Sequence, residues 1–199
     1  MAVTALEVKA LRDQTGAGFM ECKAALNETE GNLDEAVTLL RKRGLARAAK
    51  RAGRSTGEGL IGSYIHMGGK IGVLIELNCE SDFVAKTDEF QALLKDLSMH
   101  IAAASPLYAN QEDVAVETVE REKEIYRSQL TDSNKPAHLI EKIVEGKLGA
   151  YYEQVVLVDQ PFIKDPKTTV GQLIATTIAK LGENITVSRF SRFKVGETP

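Results

Sequence analysis

Leu60-Ile61-Gly62-Ser63-Tyr64-Ile65-His66-Met67-Gly68-Gly69-Lys70-Ile71-Gly72-Val73-Leu74-Ile75-Glu76-Leu77-Asn78-Cys79 is the stretch that decides the fold class. Two runs, Leu60 to His66 and Ile71 to Cys79, carry β-branched and aromatic residues and flank a Gly-Gly turn, the pattern of a hairpin. Helical patterns precede and follow it, and one more strand pattern comes near the end. Such an order predicts an α+β chain: three short helices over 1–54, then one α+β domain over 55–199.

Upstream, Thr4 and Glu7 are spaced as a capping box ahead of Leu6, Val8 and Leu11. Thr15-Gly16-Ala17-Gly18 is a turn, because two glycines so close interrupt any periodic element. A second helix is expected from Phe19 to Glu28 with Met20, Ala24 and Leu26 on or near its buried face. A third follows Gly31, where Asn32 and Glu35 form a cap pair ahead of Leu33, Ala36, Val37 and Leu40.

Downstream, Thr87 caps a helix that runs to about Ala104 and ends before Pro106. Amphipathic helices are predicted over Val114 to Leu130 and Pro136 to Tyr152. Gln160-Pro161-Phe162 reads as irregular. Thr169 and Gln172 cap a helix that Gly182 stops, and Ile185 to Val195 reads as the last strand.

Length and composition narrow the function classes. The chain has 199 residues, 43% hydrophobic and 27% charged, so it can bury a core and is neither collagen-like nor disordered. Cys22 and Cys79 form no C-x-x-C pair, which excludes a local zinc knuckle or redox motif. Met1-Ala2-Val3-Thr4 lacks a basic n-region and an apolar h-region, and no run approaches a membrane span, so a cytoplasmic protein is expected.

Gly57-Glu58-Gly59-Leu60-Ile61-Gly62 fits G-x-G-x-x-G but leads into a strand instead of opening a helix, so a dinucleotide site is rejected. His66, His100 and His138 lack metal spacing, and no metal site or cofactor is expected. His100 and His138 read as helix-surface or boundary residues, and His66 as a turn or contact residue at the hairpin tip. Nothing in the pattern demands catalysis.

The net charge of −3 hides an asymmetry: residues 1–54 carry ten basic and seven acidic side chains. Residues 41–54 alone hold seven basic residues and no acid. This run is read as the end of the third helix passing into a helical linker, with an acidic partner or RNA phosphates as the alternative. It contains no aromatic residue to stack on bases, which weighs against direct nucleic-acid binding. Cys79-Glu80-Ser81-Asp82-Phe83-Val84-Ala85-Lys86 leaves two readings open on the residues alone. Ser81 or Asp82 caps a turn with Phe83 in the core, or Phe83 protrudes as an aromatic anchor beside a charge.

That segment, with Thr15-Gly16-Ala17-Gly18-Phe19-Met20-Glu21-Cys22-Lys23-Ala24-Ala25-Leu26, resembles the two signatures of the bacterial elongation factor Ts family. Gly62-Ser63-Tyr64-Ile65-His66, Gln160-Pro161-Phe162, Thr169-Val170-Gly171-Gln172-Leu173 and Arg192-Phe193-Lys194-Val195-Gly196 extend the resemblance over nearly the whole chain. The resemblance implies a guanine-nucleotide exchange factor, not an enzyme of covalent chemistry, whose partner is elongation factor Tu in its GDP-bound and nucleotide-free forms. It implies an α+β core with a small antiparallel sheet packed against helices, and an N-terminal module that is ubiquitin-associated-like and contacts Tu through Arg12, Phe19 and Met20. Ser81, Asp82, Phe83 and Val84 would dislocate the Mg²⁺ of Tu, with Ser81 standing where the family usually has Thr. His66 matches a segment of a second core copy carried by longer members, which makes it a possible Tu contact. A single core copy followed by Glu197-Thr198-Pro199 makes a homodimer the expectation.

Overall fold

The computed structural model describes residues 3–130 and 136–197; the expectations attached to Met1, Ala2, Thr198 and Pro199 lie outside them. Helices α1 (Ala5–Thr15), α2 (Phe19–Glu28) and α3 (Leu33–Arg51) come first. Strands β1 (Glu58–Ile65) and β2 (Ile71–Cys79) follow, then the single turn α4 (Asp82–Ala85) and helix α5 (Asp88–Ala104). Helices α6 (Val116–Ser128) and α7 (Ala137–Val155), strands β3 (Pro161–Phe162) and β4 (Asp165–Thr169), helix α8 (Val170–Leu181) and strand β5 (Ile185–Lys194) complete the order. The chain is therefore α+β, with a small antiparallel sheet in the order β1-β2-β5.

The chain packs as two units, neither continuous in sequence. The first comprises Met1–Gly59, Asn78–Leu93 and Ile174–Thr186; the second comprises Leu60–Leu77, Leu94–Leu173 and Val187–Pro199.

In the first unit α1, α2 and α3 close on a small core of Val8, Leu11, Cys22, Ala25, Leu26, Ala36 and Leu40. The start of α1 is fixed by the Thr4–Glu7 capping box, in which the Thr4 hydroxyl oxygen accepts the Glu7 N–H at 3.3 Å and Glu7 accepts the Thr4 N–H at 2.8 Å. Asn32 caps α3 by accepting the Glu35 N–H. The apolar stripe expected on α2 is rotated: Leu26 is buried, but Met20 and Ala24 face out and Cys22 and Ala25 take the core positions. A Met–Ala spacing of four keeps the two on one helical face, and the three-helix core is too narrow to cover both faces of α2. The basic run is helical to Arg51 and partly paired, Arg43 with Glu28, Arg47 with Glu21 and Arg54 with Glu80.

In the second unit β2 contributes buried Val73, Ile75 and Leu77, and α5 contributes Leu94, Leu97 and Ile101. Strand β1 meets α5 where Gly62 lies against Leu94; a Cβ on Gly62 would stand 2.7 Å from Leu94 Cγ and Cδ1. The Gly-Gly turn is closed by the His66 N–H donating to the Ile71 carbonyl at 2.9 Å.

Two further expectations are corrected. Gln160-Pro161-Phe162 is not irregular: Pro161 and Phe162 pair antiparallel with Thr169 and Asp165, and β4 runs directly into α8. His100 is not a surface residue but is fully buried. Its Nδ1 accepts the Ile163 N–H at 3.3 Å, which leaves the proton on Nε2 to donate to Gln160 Oε1 at 2.9 Å. Gln160, itself buried, passes the chain on by donating to the Gln154 carbonyl at 2.8 Å. Burial lowers the pKa of His100 against the opposing pull of the Gln160 bond.

Candidate functional site

The turn between β2 and α5 is held at both flanks and free in the middle. On the upstream side the buried Cys79 thiol donates to the Ser81 carbonyl at 3.1 Å, and burial pushes that thiol's pKa up. Ser81 is extended, with φ −135° and ψ 154°, and its hydroxyl oxygen accepts the Val84 N–H at 3.5 Å, capping α4. On the downstream side Ala85 is buried, and the Thr87 hydroxyl donates to the Val84 carbonyl at 2.7 Å while accepting the Phe90 N–H at the start of α5.

Between these anchors Asp82 and Phe83 point away from the fold, and Phe83 is 78% exposed. Of the two readings left open by the residues, core packing of Phe83 is thereby excluded. Lys86, one turn on, lies 2.7 Å from Asp82 Oδ2 and has its Nζ 5.9 Å from the Phe83 ring centroid. The hydrogen bond from Lys86 holds the Asp82 carboxyl below its ordinary range and raises the Lys86 ammonium by the same contact. Both partners face solvent, so the pair is readily exchanged for another.

Arg12, Phe19 and Met20 belong to the same unit. Arg12 sits in the last turn of α1, and Phe19 and Met20 open α2 after Gly16-Ala17-Gly18. The three therefore lie at one end of the α1–α2 pair, all exposed, Phe19 by 47% and Met20 by 70%. Large apolar side chains left in water beside a cation are the makeup of a protein contact. His66 belongs to the second unit, exposed at the hairpin turn, where its Nδ1 lies 3.0 Å from the Tyr64 hydroxyl. Among the described residues no group of three or more His, Cys, Asp or Glu is placed to hold a metal ion, and no helix is long and apolar enough to cross a membrane.

Sequence reasoning found the caps at Ser81 and Thr87 but missed a distant residue that supports the turn. Glu183, 102 positions downstream of Ser81, accepts both the Ser81 N–H and its hydroxyl. The Lys86 pairing is marked locally, since its spacing of four from Asp82 places the two one helical turn apart.

Residues 7–197 match the profile of a family described as "Elongation factor TS". The chain is similar to the elongation factor Ts of Koribacter versatilis (strain Ellin345), 58% identical over 197 residues that cover 99% of this chain and 90% of the relative. It is 56% identical to that of Geobacter sulfurreducens over 99% of this chain and 91% of the relative. It is 57% identical to that of Thermosipho melanesiensis over 98% of this chain and 100% of the relative.

Proposed function

Because this chain belongs to the elongation factor Ts family, a family of guanine-nucleotide exchange factors for elongation factor Tu, we propose that Ser81-Asp82-Phe83-Val84 is the segment with which it drives GDP out of elongation factor Tu. A nucleoside diphosphate in a GTPase is held by backbone donors, a lysine and a Mg²⁺ ion that bridges phosphate oxygens. A partner that binds best when this cradle is disrupted must weaken GDP by the factor by which GDP weakens the partner. In this reading Phe83 wedges into an apolar pocket of Tu and shifts its helices, while Asp82 disturbs the Mg²⁺ coordination shell. No covalent bond forms or breaks; GDP leaves and GTP takes the vacated site.

The single observation that carries the reading is an exposed phenylalanine on a turn anchored at both ends. An aromatic ring already in water and already ordered gives up little on docking and gains the burial of its whole face. The N-terminal module, read as ubiquitin-associated-like, docks on the GTPase domain of Tu through Arg12, Phe19 and Met20, and His66 adds a contact. The protein acts in the cytoplasm, without a cofactor and without direct contact to nucleic acid. A second copy of the chain covers apolar strand residues Ile61, Ile65, Leu74 and Phe193, which are exposed in the single chain; sedimentation over a wide concentration range measures this.

The test of the exchange reading is release of a fluorescent GDP from elongation factor Tu by stopped flow. Phe83→Ala is expected to slow release at least about tenfold, since truncated aromatic hot spots cost about 2 kcal/mol or more. Its thermal unfolding should match the unsubstituted chain, because an exposed ring contributes little to folding. Acceleration equal to that of the parent protein would overturn the reading.

A further inference from the structure

The turn that carries Asp82 and Phe83 is gripped by the stretch where α8 gives way to β5. Gly182 ends α8 with its N–H donating to the Ile178 carbonyl at 2.9 Å and a φ of 84°, a left-handed conformation that a side chain would strain. The chain turns there, and the next two residues reach the segment after β2. Glu183 Oε2 accepts the Ser81 N–H at 3.0 Å, and Oε1 accepts the Ser81 hydroxyl at 2.7 Å. The Asn184 N–H donates to Glu80 Oε1 at 2.6 Å. One turn earlier on α8, Lys180 pairs with Glu89 at 3.1 Å.

These contacts do different work. The Lys180–Glu89 pair is exposed and ties α8 to α5 loosely. Glu183 holds the one residue from which the exposed turn departs. Its two oxygens fix Ser81 by backbone and side chain together, so neither the peptide plane nor the hydroxyl can rotate without losing a charge-assisted bond. The Ser81 hydroxyl gives its proton to Glu183 and keeps a lone pair for the Val84 N–H. The carboxylate thus orients the cap, and the cap sets the direction in which Asp82 and Phe83 leave the fold.

We infer that Glu183 is a positioning residue for nucleotide exchange, holding Ser81 so that the Asp82–Phe83 turn is already in its working geometry before the partner arrives. The inference rests on the reading of residues 81–84 as the segment that acts on Tu. Glu183 touches neither partner nor nucleotide in this role; it acts through Ser81. Ordering the turn beforehand removes an entropy cost from the step in which Phe83 inserts. That step follows docking of the N-terminal module, so loss of Glu183 lowers the maximal rate of GDP release and leaves the half-saturating concentration near its original value.

The experiment is stopped-flow release of fluorescent GDP from Tu against concentration of the full chain, with Glu183→Ala, Glu183→Gln, Ser81→Ala, Phe83→Ala and the Ser81→Ala/Glu183→Ala pair. Glu183→Ala removes both bonds to Ser81 and should lower the maximal rate at least about tenfold, the scale of losing a single charge-assisted hydrogen bond. Glu183→Gln keeps one accepting oxygen and should fall between. Glu183→Ala should cost less on the Ser81→Ala background than on the parent, because the hydroxyl contact is then already gone and only the bond from the backbone N–H of residue 81 is left to lose. Circular dichroism and urea unfolding report whether each variant folds; should Glu183→Ala fail to fold, Glu183→Gln and Ser81→Ala decide by the same measures. The inference is overturned if Phe83→Ala slows release but the Glu183 variants reach the parent maximal rate, or if the Glu183 and Ser81 effects simply add. If Phe83→Ala also releases GDP at the parent rate, the underlying reading of 81–84 falls and takes this inference with it.

Discussion

Single residues in this chain show how burial decides chemistry. His100 and His66 are the same side chain in opposite settings. His66 faces water at the hairpin turn, whereas His100 is enclosed and uses both ring nitrogens, one accepting from Ile163 and one donating to Gln160. A second proton on His100 would land on the nitrogen that accepts the Ile163 N–H, so the ring can charge only by breaking that bond inside a low-dielectric core. Its folded pKa therefore lies below the ordinary histidine value of 6.5. The unfolded chain then binds a proton that the folded chain refuses. The stability this contributes is complete above pH 6.5 and falls as pH drops from there through the depressed folded pKa. Urea unfolding at pH 7.5 and at pH 5.5 should show a lower midpoint at the acid value, and His100→Gln should narrow the gap between the two. An equal gap in the variant would assign the acid loss to other groups.

Elements, as distinct from residues, are placed by where two backbones can approach. Strand β1 comes close to α5 because position 62 has no side chain, and Leu94 fills the space that a Cβ would need. Gly62→Ala should cost about 1–3 kcal/mol, the usual penalty of forcing an extra carbon into a packed core, read as a lower urea midpoint with an unchanged slope. Leu94→Ala added to Gly62→Ala should recover part of the loss by making room, and a purely additive pair would show that the clash is not the cause. The same scale explains what could be read from the sequence. Caps at Thr4, Asn32, Ser81, Thr87 and Thr169 are local, within three residues of their partners, and each helix start was legible from them. The hairpin at 65–71 was legible because Gly68-Gly69 signals its own turn. The β3–β4 hairpin was not, because a two-residue strand has no period and Asp165-Pro166-Lys167 looks like loop. His100 was misplaced by its residue type, although its spacing of three from Leu97 puts it on the buried stripe of α5. At the site, the segment at 81–84 stood out through the resemblance, but the residues alone left Phe83 either packed or protruding, and Glu183 was not legible, since nothing local marks a partner 102 residues away.

The whole molecule divides along lines that the order of motifs does not suggest. Residues 78–93 and 174–186 pack with the N-terminal helices, so the turn bearing Phe83 and the stretch that grips it share a unit with Arg12, Phe19 and Met20. The end of the basic run is tied into that unit at a specific point: Asn184 is buried, and its amide Nδ2 donates to the Arg54 carbonyl at 2.9 Å, while Arg54 pairs with Glu80 at 3.5 Å. A chain starting at residue 55 would keep Asn184 and lose its acceptor. A buried amide donor left without a partner costs about 1–3 kcal/mol, and for a chain of this size each kcal/mol lowers Tm by about 2–4 °C. The fragment 55–199 should therefore unfold several degrees below the full chain even when the transition followed is that of the strands, by far-ultraviolet circular dichroism. Restoring Arg54 alone would not suffice, because Ala52 and Arg54 continue the helical hydrogen bonding of α3 through the Ala48 and Arg51 carbonyls. A fragment that melts with the full chain would mean that residues 1–54 are an appendage; a lower melting temperature would mean that they are structural to the segment around Ser81.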